Sequence, residues 1–85
     1  MTYQVEFSNQ ALKQLEALPQ QVQQRIVSRT ESLAVDPRPT GVKKLKGAES
    51  QYRLRVGDYR IVYEIQDAIL LIILLRIGHR SNVYR

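Results

Sequence analysis

Arg53 and Arg55 stand one residue apart in the run Tyr52-Arg53-Leu54-Arg55-Val56. In an extended chain successive side chains point to opposite faces, so both arginines share the face away from Tyr52, Leu54 and Val56. Four residues after Arg55, the run from Tyr59 to Gln66 repeats the pattern, with Tyr59, Ile61, Tyr63 and Ile65 on one face and Arg60, Val62 and Glu64 on the other. Arg60 is thereby set to join Arg53 and Arg55 across a hairpin. Three guanidiniums on one sheet face repel one another unless an anion or carboxylates lie between them. Asp58 and Glu64 are near enough in sequence to neutralise part of the charge, and solvated surface arginines are common. The segment Gly78-His79-Arg80-Ser81-Asn82-Val83-Tyr84-Arg85 adds the chain's one histidine, two more arginines and a tyrosine. Arginine offers planar, bidentate donors for phosphate. Tyrosine stacks on a base or handles a proton, and histidine titrates near neutrality.

The residue types that are missing narrow the chemistry further. The sequence has no cysteine and a single histidine, so it offers no zinc-ligand set. It has no cluster of carboxylates for magnesium, no GxxxxGK[ST] phosphate loop and no GxGxxG after a strand. Cleavage of a phosphodiester without metal or cofactor is still open to a protein whose substrate is RNA, because the 2′-hydroxyl is an internal nucleophile. Such a protein has to align that hydroxyl and stabilise a dianionic transition state, which preorganised arginines can do.

The elements that must hold these side chains follow from the periodicity. Tyr3 to Phe7 alternates apolar and polar, as a half-buried strand does. Ser8 is a suitable N-cap for a helix over 9–17, in which Ala11, Leu12, Leu15 and Leu18 recur at helical spacing. Pro19 interrupts there, and proline is best tolerated in a first turn. A second helix is expected over 20–34, with Val22, Ile26 and Leu33 on one face, closed by Asp36-Pro37-Arg38-Pro39. The rest reads as strands: 52–56, a turn at Gly57-Asp58, 59–66, a turn at Asp67-Ala68, and Ile69 to Ile77. Such short connections make hairpins, so the expected class is α+β with an antiparallel meander. The unbroken apolar run Ile69 to Leu75 predicts a central strand buried on both faces, the second face covered by the C-terminal segment or by a partner.

Charge agrees with a polyanionic partner. The net charge of +5 lies entirely in residues 43–85, where nine basic residues face four acidic ones. The first ten residues lack the basic and apolar regions of a signal peptide. The seven apolar residues from Ile69 to Leu75 fall far short of the ~20 that span a bilayer. No membrane association is expected, and the cytoplasm is the default compartment.

Taken in order, these pieces resemble the RelE/ParE superfamily of toxins from bacterial and archaeal toxin–antitoxin operons. The resemblance covers essentially the whole chain: the opening strand and ALKQLEALP, the helix-ending DPRP, KLKG before YRLRVGDYRIVYEI, and the final IGHRSNVYR. It implies a single RelE-like domain over 1–85, with two N-terminal helices on a four-stranded, mainly antiparallel twisted sheet. It implies no cofactor, and a cognate antitoxin as partner, the complex binding its own operator DNA through that antitoxin. RelE-type members cleave messenger RNA in the ribosomal A site, so the resemblance implies a metal-independent endoribonuclease acting on the ribosome and its mRNA. By match of motif, Arg60 corresponds to an arginine that holds the scissile phosphate, Arg80 to a second phosphate-binding arginine, and Tyr84 to a tyrosine that stacks on or orients the reacting nucleotide. Arg53 and Arg55 replace lysines of the best-studied type. Arginine is too basic to act readily as a general base, which favours an electrostatic role for both and leaves His79 as the candidate titrating group. Lys43, Lys44 and Lys46 are expected to grip RNA backbone. Two other readings are a ParE-like inhibitor of DNA gyrase without nuclease activity and a non-catalytic RNA-binding module, which would display aromatic residues for stacking.

Overall fold

Ser8 is where the first strand becomes the first helix, and its hydroxyl does two things at once. Its Oγ accepts from the Ala11 amide at 3.0 Å, capping the helix, and donates to the Leu75 carbonyl at 2.8 Å, tying the helix start to the last strand. The computed structural model describes residues 2–47 and 50–79. Strand β1 is Gln4–Phe7, followed by helices α1 (Asn9–Glu16) and α2 (Gln20–Leu33). Strands β2 (Lys43–Lys44), β3 (Gln51–Val56), β4 (Tyr59–Gln66) and β5 (Leu71–His79) complete the described elements, with a 3-10 turn at Asp67–Ile69 before β5. Pro19 lies just outside α2, at its N-cap, and its carbonyl accepts from Gln23. Among the described residues no helix is long and apolar enough to cross a membrane.

The sheet has five strands in the order β1-β5-β4-β3-β2. All neighbours are antiparallel except β1 and β5, which run parallel from Gln4↔Leu71 to Phe7↔Leu74. The expected four-stranded sheet is thus extended by β2, whose two lysines pair with Arg53 and Tyr52. A two-residue edge strand carries no periodicity that a sequence could display. Both helices lie on one face of the sheet. Ala11, Leu15, Ile26 and Leu33 pack there against Leu54, Ile61, Tyr63, Ile72, Leu74 and Ile77. Thr30 is also buried, its hydroxyl satisfied by the Val27 carbonyl at 2.8 Å.

Strand β5 departs from the sequence expectation twice. It begins at Leu71 rather than Ile69, because Asp67–Ile69 forms a 3-10 turn and Leu70 takes a left-handed conformation (φ 52°) to reverse the chain, leaving Ile69 exposed. Its two faces are also unequal. Ile72, Leu74 and Ile77 are buried under the helices, whereas Leu71 and Ile73 on the far face are only half-buried. The spacing of the buried residues changes from two to three because the register slips between Val62 and Tyr63: Tyr63 pairs with Leu74 but Val62 pairs with Arg76. Leu75 is the extra residue of a β-bulge, and beyond it every side chain of β5 changes face. Arg76 and Gly78 therefore lie on the sheet face away from the helices, and Ile77 and His79 on the helix face.

Candidate functional site

Burial of Tyr52, Leu54 and Val56 (9, 2 and 5% exposed) forces Arg53 and Arg55 to the open face of β3. Gly57 at φ 60° opens the two-residue turn that returns the chain as β4. The resulting register sets Arg55 directly against Arg60, and Arg53 against Val62 on one side and Lys43 on the other. Like charges directly opposite on neighbouring strands are unfavourable. This sheet holds two such pairs side by side, Arg55↔Arg60 and Lys43↔Arg53. Together with Gly41, these four side chains line a cavity of about 280 Å³ on the open face. Four converging cations in one concavity form a site for an anion carrying more than one charge.

The loop that brings Gly41 and Lys43 to this cavity is held by a cluster of tyrosines. The Tyr63 hydroxyl donates to the Pro37 carbonyl at 2.8 Å. Arg38 donates to the Tyr52 hydroxyl at 3.1 Å and lies over its ring, 5.2 Å from the centroid. The same guanidinium forms an ion pair with Asp67 at 2.8 Å, and the Tyr3 hydroxyl donates to Asp67 at 2.5 Å. The Arg38 and Tyr3 hydrogen bonds hold the Asp67 carboxyl below the usual carboxylate range. Burial pushes the Tyr63 phenol well above its ordinary value, so it stays a neutral donor. Tyr52 and Tyr63 also stack on each other, with centroids 5.9 Å apart. None of Tyr52, Tyr59 and Tyr63 is displayed on the open face, so among the described residues that face presents no stacking platform of the kind a simple RNA-binding module would offer.

Of the residues singled out from sequence, Arg53, Arg55, Arg60 and Lys43 are brought together. Lys44 pairs with Tyr52, which places it on the helix side of the sheet, and Lys46 sits in the turn beyond β2. His79 pairs with Tyr59 and makes an edge-to-face contact with its ring, centroids 5.6 Å apart, on the face opposite Arg60. The bulge at Leu75 is the reason: without it His79 would share the arginine face. Arg80 and Tyr84 lie outside the described residues. Gly41 was missed, and its only sequence signal is its place between the DPRP loop and Lys43. A larger cavity of about 550 Å³ opens on the other side, between α2 and the β3–β4 turn, lined in part by Arg25, Arg29, Val56 and Gly57. It is more open and holds fewer converging charges than the four-cation cavity, which we take as the candidate site.

Comparison with known proteins gives a consistent result. A family described as ParE toxin of type II toxin–antitoxin system, parDE, matches residues 5–84. The chain is 33% identical over 82 residues to toxin RelE3 of Methanocaldococcus jannaschii, covering 92% of this chain and 91% of that protein. It is 30% identical over 88 residues to the mRNA interferase toxin RelE of Escherichia coli K12, covering 99% and 92% respectively. Its fold is similar to a chain in the crystal structure of the archaeal RelE–RelB complex from Pyrococcus horikoshii. The TM-score is 0.85 and the identity 32%, over 98% of this chain and 100% of that one.

Proposed function

The chain belongs to the RelE/ParE superfamily of toxins of toxin–antitoxin systems, and from that premise we propose that it is a metal-independent endoribonuclease that cuts messenger RNA in the ribosomal A site. The observation that carries this reading is the cavity in which Lys43, Arg53, Arg55 and Arg60 converge. The similarity to a protein named an mRNA interferase supports it. In the proposed step the 2′-oxygen of the RNA attacks the adjacent phosphorus, the bond to the 5′-oxygen breaks, and a 2′,3′-cyclic phosphate and a 5′-hydroxyl result. The 2′-hydroxyl proton leaves to solvent water and the departing 5′-oxygen takes one up. Arg60 holds the scissile phosphate, and Arg53 and Arg55 stabilise the charge that grows on it, as fixed cations rather than as bases. Arg80 and Tyr84 are proposed, by their match to the family's motif, to add a second phosphate contact and a surface that orients the nucleotide. Lys43, in the cavity, and Lys46, in the turn beyond β2, contribute charge along the RNA path, whereas Lys44 faces the helix side and takes no part.

The partner that restrains this activity is proposed to be a cognate antitoxin, as in the RelE–RelB complex to which the fold is similar. The half-buried strip of Leu71 and Ile73 on the open face suits such a cover. The family description favours one other reading, a ParE-like inhibitor of DNA gyrase. Mapping messenger RNA ends during translation, with wild type and Arg60→Ala, separates the two. Cuts within codons that fall about 10²–10³-fold in the variant support the nuclease, by analogy with loss of one donor to a developing oxyanion. Intact messenger RNA in cells whose growth is arrested by the wild type transfers the assignment to gyrase.

A further inference from the structure

Arg76 interrupts the apolar run of β5, and strict alternation from Ile72 and Leu74 would drive it into the helix-covered core. The bulge at Leu75 turns it to the open face instead, in register with Val62 and in the same row as Arg53 and Lys43. Bulges beside functional sites characteristically re-aim one side chain in this way. The next open-face position on β5 is Gly78, opposite Arg60, so β5 itself sets no side chain directly beside Arg60. Arg76 and Arg60 are diagonal neighbours across β4 and β5, an arrangement that sets residues about 7–8 Å apart, well within the reach of two arginines.

The Nε of Arg76 is buried and has no hydrogen-bond partner among the described residues. Buried donors are nearly always paired, because an unmade bond forfeits the solvation the group gave up. Nearby on the same face, Glu64 instead accepts from the Gln66 side chain at 2.5 Å. An arginine grips a phosphate side-on through Nε–H and one terminal N–H, and here the Nε half of that fork is held in place without an acceptor.

We infer that Arg76 is a further phosphate ligand of this site, gripping side-on the RNA backbone phosphate next to the one held by Arg60. The inference rests on the ribonuclease reading for the identity of its ligand, and it extends the anion site from β3 and β4 to β5. A phosphate is favoured over a carboxylate because four other cations share the row and its neighbour, and a doubly shared anion offsets their repulsion.

The test uses the full chain and a short oligoribonucleotide with a 2′-deoxy residue at the cleavage position, which binds without being cut. Two measurements are made: the salt dependence of its affinity, for wild type, Arg76→Gln and Arg76→Lys, and the Nε–H signal of Arg76 in arginine-selective NMR of the wild type. We expect the slope of log affinity against log salt to fall by about 0.7 in Arg76→Gln, the loss of one phosphate contact on a single strand. Arg76→Lys keeps the slope but loses affinity, because charge remains without the fork. The Nε–H signal shifts saturably with the oligonucleotide. A purely structural arginine would move the melting temperature of Arg76→Gln and leave the slope untouched. An unchanged slope with an unmoved Nε–H signal overturns the inference, while cleavage of messenger RNA by the wild type leaves the proposed function standing. Binding with the expected slope change but no cleavage of translated messenger RNA has the opposite meaning: Arg76 is a phosphate ligand in a protein that is not the nuclease. Failure of the wild type to bind the oligonucleotide overturns the inference, and the proposed function then stands or falls on cleavage of translated messenger RNA.

Discussion

Arg55 and Arg60 face each other across the β3–β4 hairpin, and replacing one of them should make the protein more stable while making it a poorer enzyme. Directly opposite residues have Cβ atoms about 4.5–5.5 Å apart, and for long side chains that splay apart a charge separation of roughly 7 Å is taken for the calculation. Arg55 is exposed and Arg60 half-buried, so the effective dielectric is close to that of water, and two unit charges at that separation repel by about 0.6 kcal/mol. The measured range for cross-strand pairs, about 0.2–1 kcal/mol, brackets this figure. Arg55→Gln removes the repulsion and gives up one long contact, Nε to the Gly57 carbonyl at 3.4 Å. For a domain of this size about 1 kcal/mol corresponds to about 4–8 °C, so the variant should melt about 2–5 °C higher. The assay is thermal unfolding followed by circular dichroism at low salt and again at about 1 M salt, where the screening length drops to about 3 Å. The gain should be present at low salt and absent at high salt, and cleavage of messenger RNA should fall in the same variant. A melting temperature that drops at low salt, or a gain that survives high salt, would refute the electrostatic account of this face.

Other substitutions probe the elements that hold the site. Ser8→Ala removes both the cap of α1 and the bond to the Leu75 carbonyl beside the bulge; it should cost about 1–2 kcal/mol in urea unfolding with the m-value unchanged. Tyr63→Phe leaves the Pro37 carbonyl without its donor and should cost about 1 kcal/mol or somewhat more. It should also lower RNA affinity, because the loop that carries Gly41 and Lys43 loses an anchor. Because Asp67 has a folded-state pKa below its unfolded value, the stability it contributes is present above the ordinary carboxylate range and is lost as pH falls through the depressed value. Melting temperatures of wild type and Asp67→Asn should therefore differ at neutral pH, begin to approach one another below about pH 4, and meet only once the pH lies below the depressed value. A constant difference down to pH 2 would show that the Arg38–Asp67 pair is not the cause.

Much of this architecture was legible from local patterns. Alternation in Tyr52 to Val56 and in Tyr59 to Ile65 is a property of the extended backbone, and it placed three arginines on one face before any fold was known. The Ser8 cap, the two amphipathic helices and the Gly57-Asp58 turn are equally local, since each depends on residues within a few positions of one another. What the sequence by itself determined was thus the order and kind of the longer elements and which side chains β3 and β4 turn away from the core. It also confined the excess charge to the second half.

Only the tertiary structure decided how those faces meet. The parallel pairing of β1 with β5 and the two-residue strand β2 depend on contacts between distant segments, which leave no period in the chain. The register of β3 against β4, not the alternation within either, sets Arg55 against Arg60 and leaves Arg53 beside Lys43. The bulge matters most for function. One extra residue at Leu75 exchanges the two faces of β5, carrying His79 away from the arginines and bringing Arg76 to them. An arginine set among leucine and isoleucine was its only trace in the sequence. Side-chain direction repeats every two residues, so a slip of one residue reverses it, and the energy that holds such a slip in place comes from packing across the sheet rather than from the residues that slip.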